Sequence, residues 1–182
     1  MKRWIAAALF TAGLLYPFAV YYGIEHWSPR VFATLLGALW LARALTSAPK
    51  AHGERLLAAL ALVFCASLWL LDSSALLRWY PVLINLCLLS IFALSLHFGP
   101  PVIERLARLT EPELPPSGVM YTRRVTQVWC CFFLFNASLA SCLTLWAPLS
   151  WWTLYNGFIA YILMGLLFAG EWLVRQRVRE RS

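Results

Sequence analysis

Long apolar runs alternate with short polar segments along the whole chain, and the runs have the length of bilayer crossings rather than of buried strands or core helices. Six emerge, at about residues 4–24, 29–46, 56–71, 79–98, 125–147 and 150–174. A helix needs roughly 20 apolar residues to cross a hydrocarbon layer of about 30 Å. Five of the runs meet that length or come close. The third, Leu56 to Leu71, is short at 16 residues and requires a thin bilayer, little tilt or an extra turn. The pattern therefore predicts an all-α polytopic membrane protein, a single bundle of about six transmembrane helices.

The first run begins Met1-Lys2-Arg3-Trp4 and resembles a signal peptide in outline. No A-x-A cleavage site follows it, and Tyr16-Pro17-Phe18 carries it to full span length, so it is expected to stay as an uncleaved first helix. Pro17 removes a backbone donor and is expected to kink that helix. Pro29 is suited to open the second helix, and Trp79-Tyr80-Pro81 opens the fourth. Trp4, Trp27, Trp79, Trp151 and Trp152 stand at span ends, where interface belts form. Small residues at spacing four, namely Ala137/Ser141, Ala140/Thr144 and Gly165/Ala169, are expected to let helices of the same chain approach closely.

The segment from Gly99 to Arg124 is the one long polar stretch. Ile103, Leu106, Ala107 and Leu109 alternate with Glu104, Arg105 and Arg108 as a short amphipathic turn that suits the membrane interface. Glu111-Pro112-Glu113-Leu114-Pro115-Pro116-Ser117-Gly118 reads as irregular chain, because its prolines remove donors and its glycine marks a turn.

Charge orients the bundle. If every run crosses, 13 of the 15 Lys and Arg residues fall on one face, and only Arg30 and Arg78 on the other. Cationic loops resist translocation, so both termini and the 99–124 loop are expected in the cytoplasm, with the chain in the bacterial inner membrane. The composition, 62% hydrophobic and 13% charged, fits that reading and leaves no room for a second domain. The net charge of +7 is scattered over inner-face loops, so anionic lipid is the expected partner and nucleic acid is not.

Candidate chemistry is sparse. The five cysteines, Cys65, Cys87, Cys130, Cys131 and Cys142, lie in apolar runs without C-x-x-C spacing or a nearby histidine, and they read as packing residues. No metal site or cofactor is expected. His26, His52 and His97 are divided between faces, and no G-x-S-x-G, H-x-x-x-x-D, P-loop or G-x-G-x-x-G motif occurs. No Asp, Glu, Lys or His falls in the middle of a run, which argues against a proton-coupled carrier. The mid-run polar groups Asn85, Asn136, Ser138, Ser141 and Tyr161 are accounted for by hydrogen bonds between helices. The candidate site is on the inner face. Arg123 and Arg124, at the expected start of the fifth span, combine with free helix amides as a phosphate cradle. Glu104, Arg105 and Arg108 converge from the preceding loop, and Glu171 with Arg175 forms a favourable i,i+4 pair. The alternative is that these residues anchor the interface and neutralise one another against bulk lipid.

At this loop the chain resembles a family of small bacterial inner-membrane proteins. They are encoded in aryl-polyene and related biosynthetic gene clusters, beside acyl carrier proteins, ketosynthases and acyl-activating enzymes. The resemblance rests on Ile103-Glu104-Arg105-Leu106-Ala107-Arg108-Leu109, Glu111-Pro112-Glu113-Leu114-Pro115-Pro116 and Gly118-Val119-Met120-Tyr121-Thr122-Arg123-Arg124-Val125-Thr126. Leu154-Tyr155-Asn156-Gly157, Ile159-Ala160-Tyr161 and Gly170-Glu171-Trp172 extend it, with looser matches at Tyr16-Pro17, Pro29-Arg30 and Tyr80-Pro81. It covers about residues 99–175 and brings no catalytic residues with it. It implies a membrane component of a polyene or acyl-lipid pathway, with acyl carrier protein or pathway enzymes as partners at the cytoplasmic face. The function expected on this basis is accessory: holding, docking or handing on acyl intermediates at the cytoplasmic leaflet. A membrane acyl or phospho-group transferase using an inner-face Arg/Glu site, and a small lipid or polyene exporter, are the alternatives.

Overall fold

The computed structural model describes residues 11, 15–23, 27–46 and 52–179. The start of the first span at Trp4, the turn at Glu25 and His26, Lys50 in the second polar segment, and the last basic residue, Arg181, lie outside the described residues. So do the side chains of His52 and Arg55, although their backbone is helical.

The described residues are mostly helical and include no strand. α1 comprises 15–23. It is followed by α2 (Pro29–Thr46), α3 (His52–Leu71), a single turn α4 (Ser74–Leu77) and α5 (Tyr80–His97). Then come the short α6 (Val102–Ala107), the long α7 (Pro116–Trp146), and a last helix in three parts: α8 (Leu149–Leu154), a π-helical turn (Tyr155–Ile159) and α9 (Ala160–Arg179). Among the described residues, three helices are long and apolar enough to cross a membrane: Tyr80–His97, Pro116–Trp146 and Leu149–Gln176. Ala58–Leu71 in α3 is apolar but shorter.

Side-chain bonds near the helix ends show that neighbours run antiparallel. On α2 and α3, Ser28 Oγ donates to Asp72 Oδ1 at 2.7 Å and Arg30 Nε to the Trp69 carbonyl at 3.2 Å. Further along the same pair, Gly37 faces the Cβ of Cys65. On α5 and α7, Arg78 meets Thr144 at one end, Asn85 meets Asn136 midway and Leu96 meets Arg123 at the other end. On α7 and the last helix, Asn136 meets Tyr155 and Tyr121 meets Glu171. The bundle thus has an Arg78 end and an Arg123 end.

The Arg78 end is closed by main-chain capping. The last carbonyls of a helix lack intrahelical donors, and a cation there also complements the helix dipole. Arg78 Nη2 donates to the carbonyls of Leu143 at 2.9 Å and Ala147 at 2.7 Å, ending α7. Arg30 does the same for α3, and its guanidinium also lies 3.5 Å from Asp72 and over the Trp69 ring. The two arginines that the charge pattern isolates are therefore both engaged in terminating helices. Beneath them Tyr16, Val20, Leu68, Leu77, Tyr80 and Trp152 form a core shared by five helices.

Several sequence expectations shift. α3 has 20 residues, a turn longer at its start than the apolar run suggests. α7 begins at Pro116, nine residues before the fifth apolar run, so Pro116, Ser117 and Gly118 are helical and not irregular. The reason is local: a proline at the first helical position lacks only a donor that would be unsatisfied anyway, and Pro115 (ψ 159°) supplies the extended residue before it. Trp152 is fully buried at 0% exposure, whereas Trp151 is exposed at 63%, so only the latter is placed as an interface belt requires. Ala137, Ala140 and Thr144 are buried at helix contacts as the small-residue spacing suggests. Gly165 and Ala169 instead face outward, with nothing within 4 Å of a Cβ added at Gly165.

The middle of the bundle is held by amides and a phenol. Tyr155 donates to Asn136 Oδ1, Asn136 Nδ2 donates to Asn85 Oδ1 at 3.1 Å, and Asn85 Nδ2 to the Pro81 carbonyl at 2.8 Å. The π turn brings Tyr155, Asn156 and Gly157 into the interior. At Gly157 the backbone comes so close to α1 that a Cβ there would lie 2.9 Å from the Phe18 ring and 3.4 Å from Pro17.

Candidate functional site

A cavity of about 420 Å³ opens at the Arg123 end, between α6, the turn that follows it, the start of α7 and the stretch of α9 from Phe168 to Arg175. Its position follows from three local features. Gly99, at φ 90°, reverses the chain after α5 in a conformation that side chains with a Cβ rarely adopt. The Val102 amide then donates to Ser95 Oγ at 3.1 Å, which pins α6 against the end of α5. Finally, the early start of α7 carries its first turns beyond the apolar run. A 31-residue helix is about 46 Å long, well over the ~30 Å of hydrocarbon. The cavity is built around this overhang.

The cavity is amphipathic. Val125, Trp129 and Phe168 form its floor, with the Trp129 and Phe168 rings 4.6 Å apart, and Ile103 and Leu106 of α6 form a wall. Glu111, Ser117, Tyr121, Glu171 and Arg175 supply the polar rim. The Tyr121 phenol donates to the Glu171 carbonyl at 3.1 Å and lies 3.4 Å from its carboxylate, tying α7 to α9 across the opening.

Only two of the residues expected at an inner-face anion site border this cavity, Glu171 and Arg175. They close no ion pair with each other; Glu171 is engaged by Tyr121 instead. Glu104 is buried at 5% exposure and holds Arg108 at 2.8 Å, while Arg108 Nη1 also donates to the Pro112 carbonyl at 2.9 Å. Arg105 Nε donates to the Pro100 carbonyl at 2.7 Å. Arg123 Nη2 donates to the Leu96 carbonyl at 3.0 Å, capping α5 as Arg78 caps α7. Arg124 is exposed. Because α7 starts at Pro116, Arg123 and Arg124 stand two turns inside the helix, away from its free amides. Among the described residues, Arg105, Arg108 and Arg123 are thus each directed to a different main-chain carbonyl. Among the described residues, no three His, Cys, Asp or Glu side chains gather as a metal site.

Sequence reasoning did not single out Trp129, Phe168, Tyr121 or Glu111 as cavity residues. In an apolar run an aromatic facing a cavity has the same sequence signature as one facing lipid. Searches against protein-family models, curated proteins and solved structures find no match for this chain.

Proposed function

We propose that this chain is an integral inner-membrane protein with six crossings and cytoplasmic termini, acting as an accessory component of an aryl-polyene or acyl-lipid pathway. In this reading it holds acyl intermediates at the cytoplasmic leaflet and passes them on. Membrane embedding is supported by helices that are apolar on nearly every side. Only 11% of the most apolar 18-residue stretch within Leu149–Gln176 is buried, and Phe158, Ile162 and Leu166 project outward. In water such a surface would aggregate. The orientation draws on the 13-to-2 division of basic residues.

The observation that carries the acyl-holding role is the cavity at the Arg123 end, with its aromatic floor, polar rim and volume of about 420 Å³. Small-molecule sites are concave and mostly apolar, with a few polar groups that fix orientation. The position of this one, at the end of the bundle where α7 outruns the hydrocarbon, suits a chain that dips into the leaflet while its head stays within reach of soluble proteins. The exposed cations Arg105, Arg108 and Arg124 at the same end favour an acidic partner such as an acyl carrier protein.

The test is deletion of the gene followed by mass spectrometry of cell-associated acyl and polyene lipids. Reduced product with accumulation of incompletely processed acyl species is expected. An unchanged lipid profile would remove the pathway assignment. Transferase chemistry at Glu171 is separable in the same assay: Glu171→Gln should slow product formation in an accessory protein and abolish it in an enzyme.

A further inference from the structure

The cavity runs as a groove along the helix axes. On α7 its lining residues Gly118, Tyr121, Val125 and Trp129 recur at helical spacing and form one stripe. Eight residues separate Tyr121 from Trp129, about 12 Å along the axis. On α9, Arg175, Glu171 and Phe168 form the facing stripe. The polar members of both stripes stand at one end and the two aromatic rings at the other. Trp129 lies four residues inside the fifth apolar run and Phe168 six residues inside the sixth. In the six-crossing reading the ring end is therefore about 6–9 Å into the hydrocarbon, and the Tyr121 end stands at its edge.

The groove is thinly walled on one side. The backbones of α7 and α9 stay largely more than 8 Å apart, whereas α5 packs closely along α7. Helices in full contact have axes about 8–10 Å apart, and their facing backbone atoms come closer than that. Between α7 and α9, side chains span the gap instead. Met164 and Leu167 pack against the cluster of Val125, Trp129 and Phe133, Phe168 rests on the Trp129 ring, and the Tyr121 phenol reaches the Glu171 carbonyl. Phe168 lines the cavity and is nevertheless 56% exposed, while Trp129 behind it is only 4% exposed. A wall residue with more than half its surface outside, at the level of the acyl chains, is a partition between the cavity and the surrounding lipid.

Resting on the acyl-holding reading, we infer that the groove is loaded sideways from the leaflet, between α7 and α9, and that its occupant is a membrane-dissolved acyl lipid. A chain in the groove lies parallel to the chains around it, with its head at the level of Tyr121 and its end against Trp129. It exchanges with the leaflet by a lateral step past Phe168, so none of its methylenes has to cross water. The Tyr121–Glu171 hydrogen bond is the latch on this portal. The phenol has one proton to give, and removing that bond leaves the Met164, Leu167 and Phe168 contacts to hold α9 in place.

The experiment uses the full-length protein in phosphatidylglycerol and phosphatidylcholine nanodiscs, with a small fraction of phosphatidylglycerol carrying a diazirine at the end of one acyl chain. Samples are illuminated at intervals after the probe is mixed in, and labelled residues are mapped by mass spectrometry. Trp129 and Val125, at 4% and 9% exposure, report the groove; Leu134 and Phe135 of the same helix, both 55% exposed, report bulk lipid. Labelling of Trp129 and Val125 should appear without any soluble acyl donor and should lag behind that of Leu134 and Phe135. Tyr121→Phe should shorten the lag roughly fivefold, the factor that corresponds to one hydrogen bond of ordinary net strength. Phe168→Ala removes the partition instead of the latch and should shorten it as well, so the loss of fold in one variant leaves the other as the test. An unchanged lag in both would overturn the portal. A second probe carries the same photoreactive chain as a thioester on soluble acyl carrier protein. If only this probe labels Trp129 and Val125, loading from the leaflet is overturned and the acyl-holding reading stands. If neither probe labels them, both fall.

Discussion

The indole of Trp152 donates to the main-chain carbonyl of Arg78 at 3.0 Å, although 74 positions separate them in the chain. The same carbonyl accepts from Thr144 Oγ1 at 3.0 Å, while the Arg78 guanidinium caps the end of α7. One residue between α4 and α5 therefore fastens α7 and the last helix with both its backbone and its side chain. Tyr16 adds α1 to this knot by donating to the Leu77 carbonyl at 2.8 Å.

Trp152→Phe keeps most of the ring volume and removes one hydrogen bond, so it should lower stability by about 1 kcal/mol. Trp152→Ala empties a fully buried site and should cost about 3–5 kcal/mol, enough to remove most of the folded protein. Thermal unfolding in detergent, read by loss of monodisperse protein, ranks the two. Similar behaviour of both variants would show that packing around Trp152 is dispensable.

Arg78→Lys should fail to replace the arginine. A lysine keeps the charge, but both bonds to Leu143 and Ala147 come from one terminal guanidinium nitrogen, Nη2, which stands farther from the backbone than a lysine ammonium reaches. Hydrogen exchange at the last turn of α7 should accelerate in this variant, with the middle of the helix unaffected. Equal protection in Arg78→Lys and the native protein would mean that the cap needs charge alone.

The chain of bonds through Tyr155, Asn136 and Asn85 lies in the apolar middle of the bundle. Interhelical hydrogen bonds in membranes contribute about 0.6 kcal/mol on average, because the membrane-inserted unfolded chain also finds partners. Tyr155→Phe and Asn136→Leu should each be mild, and the double variant should cost less than their sum. A double-mutant cycle on thermal stability checks this, and strict additivity would show that the two residues do not act together.

Glycines at two positions make opposite predictions. Gly157→Ala places a Cβ at 2.9 Å from the tip of the Phe18 ring, so that ring must move aside, and a loss of about 1 kcal/mol is expected. Gly165→Ala meets open space and should raise stability by up to about 1 kcal/mol through helix propensity. Parallel melts of the two variants supply the comparison.

How far residues alone reach is visible in these contacts. Apolar run length and proline placement are one-dimensional properties, so α2 from Pro29 and α5 from Tyr80 were legible with almost their observed ends. The start of α7 was not, because Pro115-Pro116-Ser117-Gly118 has the composition of a turn and also satisfies the rules for a helix opening. Asn85 and Asn136 could be read as helix-bridging groups, but which amide meets which depends on helix register. The cavity was illegible for a related reason. Ile103, Trp129 and Phe168 meet only once α6, α7 and α9 have packed, and cavity-facing aromatics look the same as lipid-facing ones in the sequence. Arginines posed the reverse problem. Clustering of Arg105, Arg108 and Arg123 suggested a common anion, yet each is directed to a different carbonyl, and spacing says nothing about carbonyl direction.

The six-crossing topology can be tested through the two arginines that stand apart from the rest. Arg30 and Arg78 are both at the Arg78 end, and each caps a helix, so their presence there has a structural cause that competes with the charge rule. A reporter active only in the periplasm should be silent when fused to either terminus or inserted after Pro112, and active when inserted at Ser73. Arg30→Gln should leave this pattern intact, since removing a cation from the translocated side strengthens the asymmetry. Placing three lysines at Ser73 should oppose it, lowering the Ser73 signal and the yield of folded protein together. A strong signal from either terminal fusion in the native chain would instead require an odd number of crossings or the opposite orientation, and a strong signal from the insertion after Pro112 would place the cavity at the other face of the membrane.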